Sequence, residues 1–279
     1  SAEEQPVLPK GNNLSLHLLE LFTSRVAKVG MTDGIRQVLQ EESDALRAYY
    51  EQAGILIARP AGGTSCRLAI SAKGGTNAEN HNHNDVGSYA VALGSETMVG
   101  DQGGPNSYPG DYFNGDAPQK YKIKGSFGHP VPVVDGRTQS SGGKAKGVVL
   151  QKEFTNEKDV FSIDYTSAYS TPNLDKLIRT FVYDRQGKGS FTVGDEFTAK
   201  TPIRFETAIT TRADWKILDD THLLLATDSE QMIVAIEASG KVAFTSETIE
   251  VNSPAYTRIG IALKNQSKEG YIRLKMYTK

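Results

Sequence analysis

Residues 179–197 read RTFVYDRQGKGSFTVGDEF: an alternating run, a turn containing Gly187 and Gly189, then a second alternating run. Alternation sends successive side chains to opposite faces of a strand, and glycines between two such runs allow the positive φ that a tight reversal needs. The segment therefore predicts a β-hairpin. The same grammar continues outward in both directions. Toward the amino end lie GILIARP, CRLAISA, VGSYAVALG, GVVLQKEF and VFSIDYTSAY; toward the carboxyl end lie IRFETAIT, HLLLAT, MIVAIEA, RIGIALK and YIRLKMY. About a dozen short strands with no helical stretch among them predict a mainly β chain, a large antiparallel two-sheet β-sandwich over residues 53–279. Nothing repeats at a fixed period, which sets aside propellers and solenoids.

Before Gly54 the period changes. Leu16, Leu19, Phe22 and Val26 predict a helix over 14–29; Ile35, Val38, Leu39, Leu46 and Tyr49 predict a second over 33–52, with Gly30 and Gly54 as stops. Two short helices bury too little surface to form a domain alone. Residues 1–52 are accordingly expected to be a helical segment packed on the sandwich, or the tail of a larger helical region, with Tyr49 and Tyr50 capping a helix against the sheets.

Composition narrows the function classes. With 31 basic and 33 acidic residues the net charge is −2, so no global field draws the chain to nucleic acid or an acidic membrane. The single cysteine, Cys66, excludes an internal disulfide and a tetrathiolate metal site. No apolar run reaches the length of about 18 residues that a membrane span requires. The start, SAEEQPVLPKG, lacks the basic and then apolar stretch of an export signal, although a chain trimmed after export would begin the same way.

The chemistry concentrates in ENHNHNDVGSY, residues 79–89. In an extended strand His81, His83 and Asp85 would share one face and Asn82 and Asn84 the other, which gives a ligand-rich edge. Farther on, TMVGDQGG places Asp101 at the end of a strand that pairs back onto SYAVALG. If 94–96 close that hairpin, Asp101 lies opposite about Tyr89, and a straight strand would carry His83 roughly 20 Å beyond it. The chain must then reverse near Asp85 to Gly87 for the two to share an ion. A long irregular stretch, 103–128, follows; loops of that length are functional or disordered, and its three tyrosines argue against disorder. Within it QKYKIKG sets Lys120, Lys122 and Lys124 on one expected strand face, suited to an anionic sugar or simply to solvent.

The string HNHNDVGSYAVALGSETMVGDQG, the tyrosine-bearing loop and GSFGHPVPVVDGRTQ, in that order, resemble the carboxy-terminal sandwich of the heparinase II/III-like polysaccharide lyases; LIRTFVYDRQGKGSFTVGDEF resembles their arginine-led hairpin. The resemblance covers about residues 52–279. It implies a sandwich preceded in the parent protein by an (α/α) toroid, most of which is absent here. It assigns His83, Asp101 and His129 to a metal, usually zinc, with Ca2+ or another divalent ion as the alternative. It places His81 at the substrate, and Tyr112 or Tyr108 as base or substrate contact. Where the family commonly carries asparagine after the third histidine, this chain has Pro130. The implied partners are an acidic polysaccharide, glycosaminoglycan or alginate-like, and the missing toroid; the implied location is periplasmic or extracellular.

That resemblance implies cleavage of a uronate glycan by β-elimination, with the isolated chain weak or inactive because the family takes a tyrosine and an asparagine from the toroid. Two other readings stay open. One is a carbohydrate-binding or docking module without catalysis; the other is hydrolysis by a metal-bound water, with Asp85 as the available base.

Overall fold

The computed structural model describes residues 45–79, 81–101, 103–250 and 254–279. The expected helix over 14–29 and most of that over 33–52 lie outside the described residues. Where the second was to end, Arg47–Tyr50 instead form a strand, β1, paired with Ile55–Ala58 (β2). Long-range contacts override the local period: Tyr49 packs on Phe154 and Phe161, and Arg47 Nε donates to Asp159 Oδ1 at 2.8 Å.

The remaining elements run β3 (Leu68–Lys73), β4 (Thr76–Asn77), β5 (Tyr89–Leu93), β6 (Glu96–Val99), a one-turn helix α1 (Ala117–Lys120), β7 (Val133–Val134), β8 (Gly142–Lys146), β9 (Val148–Phe154) and β10 (Lys158–Asp164). They continue with β11 (Leu174–Asp184), β12 (Ser190–Ile203), β13 (Phe205–Thr211), β14 (Asp214–Asp219), β15 (His222–Ala226), β16 (Gln231–Ala238), β17 (Val242–Ile249), β18 (Tyr256–Leu263) and β19 (Ser267–Thr278). The chain is mainly β, as the alternation predicts.

One layer is an eight-stranded antiparallel sheet in the order β14-β15-β16-β19-β12-β11-β10-β9. Facing it are a five-stranded sheet, β1-β2-β3-β5-β6, and a four-stranded sheet, β17-β18-β13-β7. These two abut where Gly100 N donates to Thr210 O at 3.1 Å and Thr211 Oγ1 to Met98 O at 2.7 Å. The predicted hairpin is β11–β12, with Asp184 opposite Ser190 and with φ of +57° at Gly187 and +79° at Gly189. Inward side chains of both layers form one core, in which Phe161, Phe181 and Phe191 stack in series. Each such ring contributes about 1.5–3 kcal/mol relative to an exposed one.

Candidate functional site

Three chain segments meet at the β6 edge of the five-stranded sheet. β6 delivers the first: Val91 pairs with Val99 and Leu93 with Glu96, so Asp101 emerges just beyond the strand, where its Oδ1 accepts the Gly103 N–H at 3.0 Å. The second is the HxHxD segment, which reverses where geometry required. Ser88 N donates to Asp85 O at 2.9 Å, and Gly87, at φ +88°, donates to Lys73 O at 2.9 Å. A side chain at Gly87 would be strained at that φ and would press on the Tyr165 ring 3.3 Å away. The third segment is a 3-10 turn, Ser126–Gly128, that hands His129 into the interior.

The strand face that His81, His83 and Asp85 were expected to share does not form. His81 has φ +59° and sits in a turn, so the backbone itself redirects successive side chains. His83 turns inward. His81 turns outward, its ring 4.9 Å from that of Phe113. Asp85 belongs to neither group: it is buried and receives Lys73 Nζ at 2.7 Å, which occupies it as an ion-pair partner rather than as a base.

The ligand atoms of His83, Asp101 and His129 all lie within 4.8 Å of one another. His129 Nε2 is 3.1 Å from Ile123 O; a carbonyl only accepts, so this nitrogen carries a proton. Nδ1 then faces Asp101 Oδ2 at 3.2 Å, fully buried and without a well-formed hydrogen bond. Such a nitrogen needs either a proton or a cation between it and the carboxylate. Without a metal the pair resolves as an ion pair: burial opposes charge on His129, but Asp101 outweighs it and raises the imidazole pKa, while His129 holds the Asp101 carboxyl well below its usual range despite burial. Burial, then the His129 charge, push His83 down to about 4, leaving a neutral imidazole with a lone pair to donate.

The residues fit a divalent ion. Zinc takes two imidazoles and a carboxylate readily, with bonds of about 2.0–2.2 Å that separate neighbouring ligands by roughly 3.4 Å, so the cluster need contract only slightly. Each imidazole also has one nitrogen engaged by the protein: His129 by Ile123 O, and His83 Nε2 by the Tyr112 hydroxyl at 3.1 Å. Such outer contacts fix ring orientation at metal sites.

Beside the cluster opens a cleft of about 360 Å³, lined among others by His81, Asn82, Asn84, Phe113, Asn114 and Lys124. The structure reorders the expected substrate contacts. Tyr112 is 1% exposed, and burial raises its phenol pKa, so it supports His83 from behind instead of reaching the cleft as a base. Tyr108 is 40% exposed, its ring 5.1 Å from those of both Tyr112 and Phe113. The three lysines share no strand face, because 117–124 are helix and turns. Lys120 pairs with Asp111 and Lys122 with Glu247, both at the surface. Lys124 alone lines the cleft; its Nζ donates to Tyr112 O at 2.5 Å and lies over the Tyr112 and Phe113 rings, and burial lowers its pKa.

Sequence reasoning missed the groups that hold these segments together. Arg179 occupies an inward position of β11, fully buried, directly opposite Asp195 on β12. Its Nε and Nη2 donate to the two Asp195 oxygens at 2.7 and 2.6 Å, and its Nη1 donates to Gly87 O at 2.7 Å and Pro130 O at 2.8 Å. One guanidinium thus ties the turn after His83 to the residue after His129. Pro130, the departure from the family pattern, contributes only its carbonyl here, which proline retains. Tyr165 and Thr207 hydroxyls complete the Asp195 shell at 2.6 and 2.7 Å. Gln139 works similarly on the other side: its amide accepts from Val86 N and Asn77 Nδ2 and donates to Val86 O. A signal existed: Arg179 and Asp195 fall in phase with Leu177, Phe181, Val193 and Phe197, where a core strand should be apolar.

No family model matches the chain, and no curated protein matches it in sequence. Solved structures do. A crystal structure of heparinase III superposes with a TM-score of 0.65 at 18% identity, over 83% of this chain and 36% of that one. Heparan sulfate lyase from Pedobacter heparinus superposes at 0.67 and 15% identity, over 87% and 39%. The fold is the heparinase III sandwich. At these identities the likeness is one of architecture, and this chain spans well under half the length of either structure. The sandwich read from alternation and the resemblance read from the motifs agree with it.

Proposed function

We propose that the chain is the sandwich portion of a polysaccharide lyase that cleaves a uronate-containing glycan by β-elimination. The observation that supports this most is the convergence of His83, Asp101 and His129 immediately behind a cleft lined by His81 and Lys124. A divalent ion, zinc by donor set, held by those three side chains would supply positive charge and cross-link the three segments. The chain's own residues do the rest. Lys124 offers an ammonium to the uronate carboxylate, which eases loss of the adjacent proton. His81, an exposed imidazole at the cleft, can accept that proton or return one to the departing glycosidic oxygen. Tyr112 orients His83.

Incubating the protein with heparan sulfate, alginate and hyaluronan while following the ultraviolet absorbance of unsaturated uronate tests this; no product in the full-length parent protein would end the lyase reading. Elemental mass spectrometry of the purified chain tests the ion. The resemblance also points to action outside the cytoplasm; among the described residues no helix is long and apolar enough to cross a membrane.

A second reading, a glycan-binding or toroid-docking module without chemistry of its own, draws on two facts: Tyr112 is buried with a raised pKa, and the solved lyases extend far beyond the part matched here. Binding without product, in chain and parent alike, would select it.

A further inference from the structure

The most conspicuous side chain of the cleft has no part in the chemistry above. Phe113 is 51% exposed and is the aromatic side chain in a wall that is otherwise mostly polar, with amides, an imidazole, an ammonium and a hydroxyl beside Pro118. Exposure here does not mean looseness. The backbone on either side is closed by Tyr112 N to Pro109 O and Asn114 N to Asp111 O, both 3.0 Å, and Asp111 is gripped by Lys120 and by the Tyr121 hydroxyl at 2.5 Å. The ring is propped by Tyr112 at 5.4 Å and 82°, by His81 at 4.9 Å and 76°, and by Tyr108 at 5.1 Å. It is a rigid apolar plate beside a pocket of hydrogen-bonding groups.

Around it stand amides with acceptors free to meet a ligand. Asn82 donates its amide nitrogen to His83 O and Asn84 donates its own to Ser141 Oγ and Gln139 O, which leaves their amide oxygens as acceptors for a ligand, and the Asn114 side chain makes no hydrogen bond among the described residues. A ligand that satisfies both features needs an apolar face and a rim of hydroxyls. A pyranose ring has both: its C–H face meets the negative face of an aromatic ring, and its hydroxyls meet the amides. Lys124 Nζ, 4.9 Å from the Phe113 centroid, adds one cation, enough for a single carboxylate.

We propose that Phe113 is a stacking platform that seats one sugar ring, with Asn82, Asn84 and Asn114 reading its hydroxyls and Lys124 its carboxylate. This rests on the glycan reading of the cleft but not on elimination taking place.

The test is calorimetric titration of the whole chain and of Phe113→Ala and Phe113→Trp with alginate and hyaluronan tetrasaccharides and, as the uncharged probe, cellotetraose. Because the side chain is largely exposed, Phe113→Ala should melt with the parent. It should weaken binding of the acidic sugars about tenfold, the share expected for half of a buried phenylalanine, while Phe113→Trp retains it. Saturation transfer by NMR should fall on the C–H protons of one ring and lose that preference in Phe113→Ala. Equal affinity of Phe113→Ala and wild type, or a wild type that binds none of the three sugars, overturns the platform. Unsaturated uronate, followed in parallel, keeps the two proposals apart. Phe113-dependent binding without product, in this chain and in the full-length parent alike, retains the platform and removes the lyase, whereas product formation with an unchanged KM in Phe113→Ala does the reverse.

Discussion

The β11–β12 hairpin and the stretch from Asn77 to Gln139 lie against each other yet are held by different means. The hairpin pairs continuously from Leu177–Phe197 to Asp184–Ser190, so each position is fixed by its neighbours. Outside β5 and β6, the stretch that carries the candidate site has little ladder of its own. It hangs from side chains that reach backbone groups: Arg179 to Gly87 and Pro130, Gln139 to Val86, Lys124 to Tyr112. Redundant pairing tolerates change, and single tethers do not. Four measurements would break or sharpen that contrast.

The largest effect is expected at Arg179. Arg179→Met removes one member of a buried ion pair and orphans two carbonyls, a loss of about 3–5 kcal/mol in denaturant unfolding. A loss no greater than that of a surface ladder substitution would refute the contrast. Next comes the ion. Zinc at a hundred times its Kd should stabilise the folded chain by about 2.7 kcal/mol, seen as a rise in Tm that a chelator reverses and that His129→Ala abolishes. Gln139→Leu should cost about 1–3 kcal/mol by leaving the Val86 backbone N–H and C=O unpaired and removing one bond of Asn77, and hydrogen exchange should quicken over 84–88 while β11 and β12 stay protected. Smallest is Thr192→Ala on the outward side of β12, within about 0.5 kcal/mol.

The same contrast explains what the sequence disclosed. Where the ladder is redundant, alternation alone locates strands, and RTFVYDRQGKGSFTVGDEF gives its turn to the residue. The reversal at Gly87 was legible as well, because distance along a strand forbade His83 and Asp101 from meeting without it. Residues placed by tethers were not legible. Tyr112 and Tyr108 look equivalent in sequence, yet the tilted contact of Tyr112 with Tyr121 and the packing around Ile123 bury one and leave the other out. Lys120, Lys122 and Lys124 alternate like a strand, but Pro118 near the start of α1 and the turns after it scatter them. Arg47–Tyr50 carry a helical period and are strand because β2 pairs with them.

The guanidinium that closes the turn after His83 belongs to a residue 92 positions later in the chain. During synthesis the HxHxD segment therefore emerges well before the strand that will clasp it, and the pocket cannot take its final shape until β11 and β12 have docked. Ion capture at this centre would then mark the completion of folding, and a truncation between His129 and β12 would leave the histidines in the chain but no place prepared to use them.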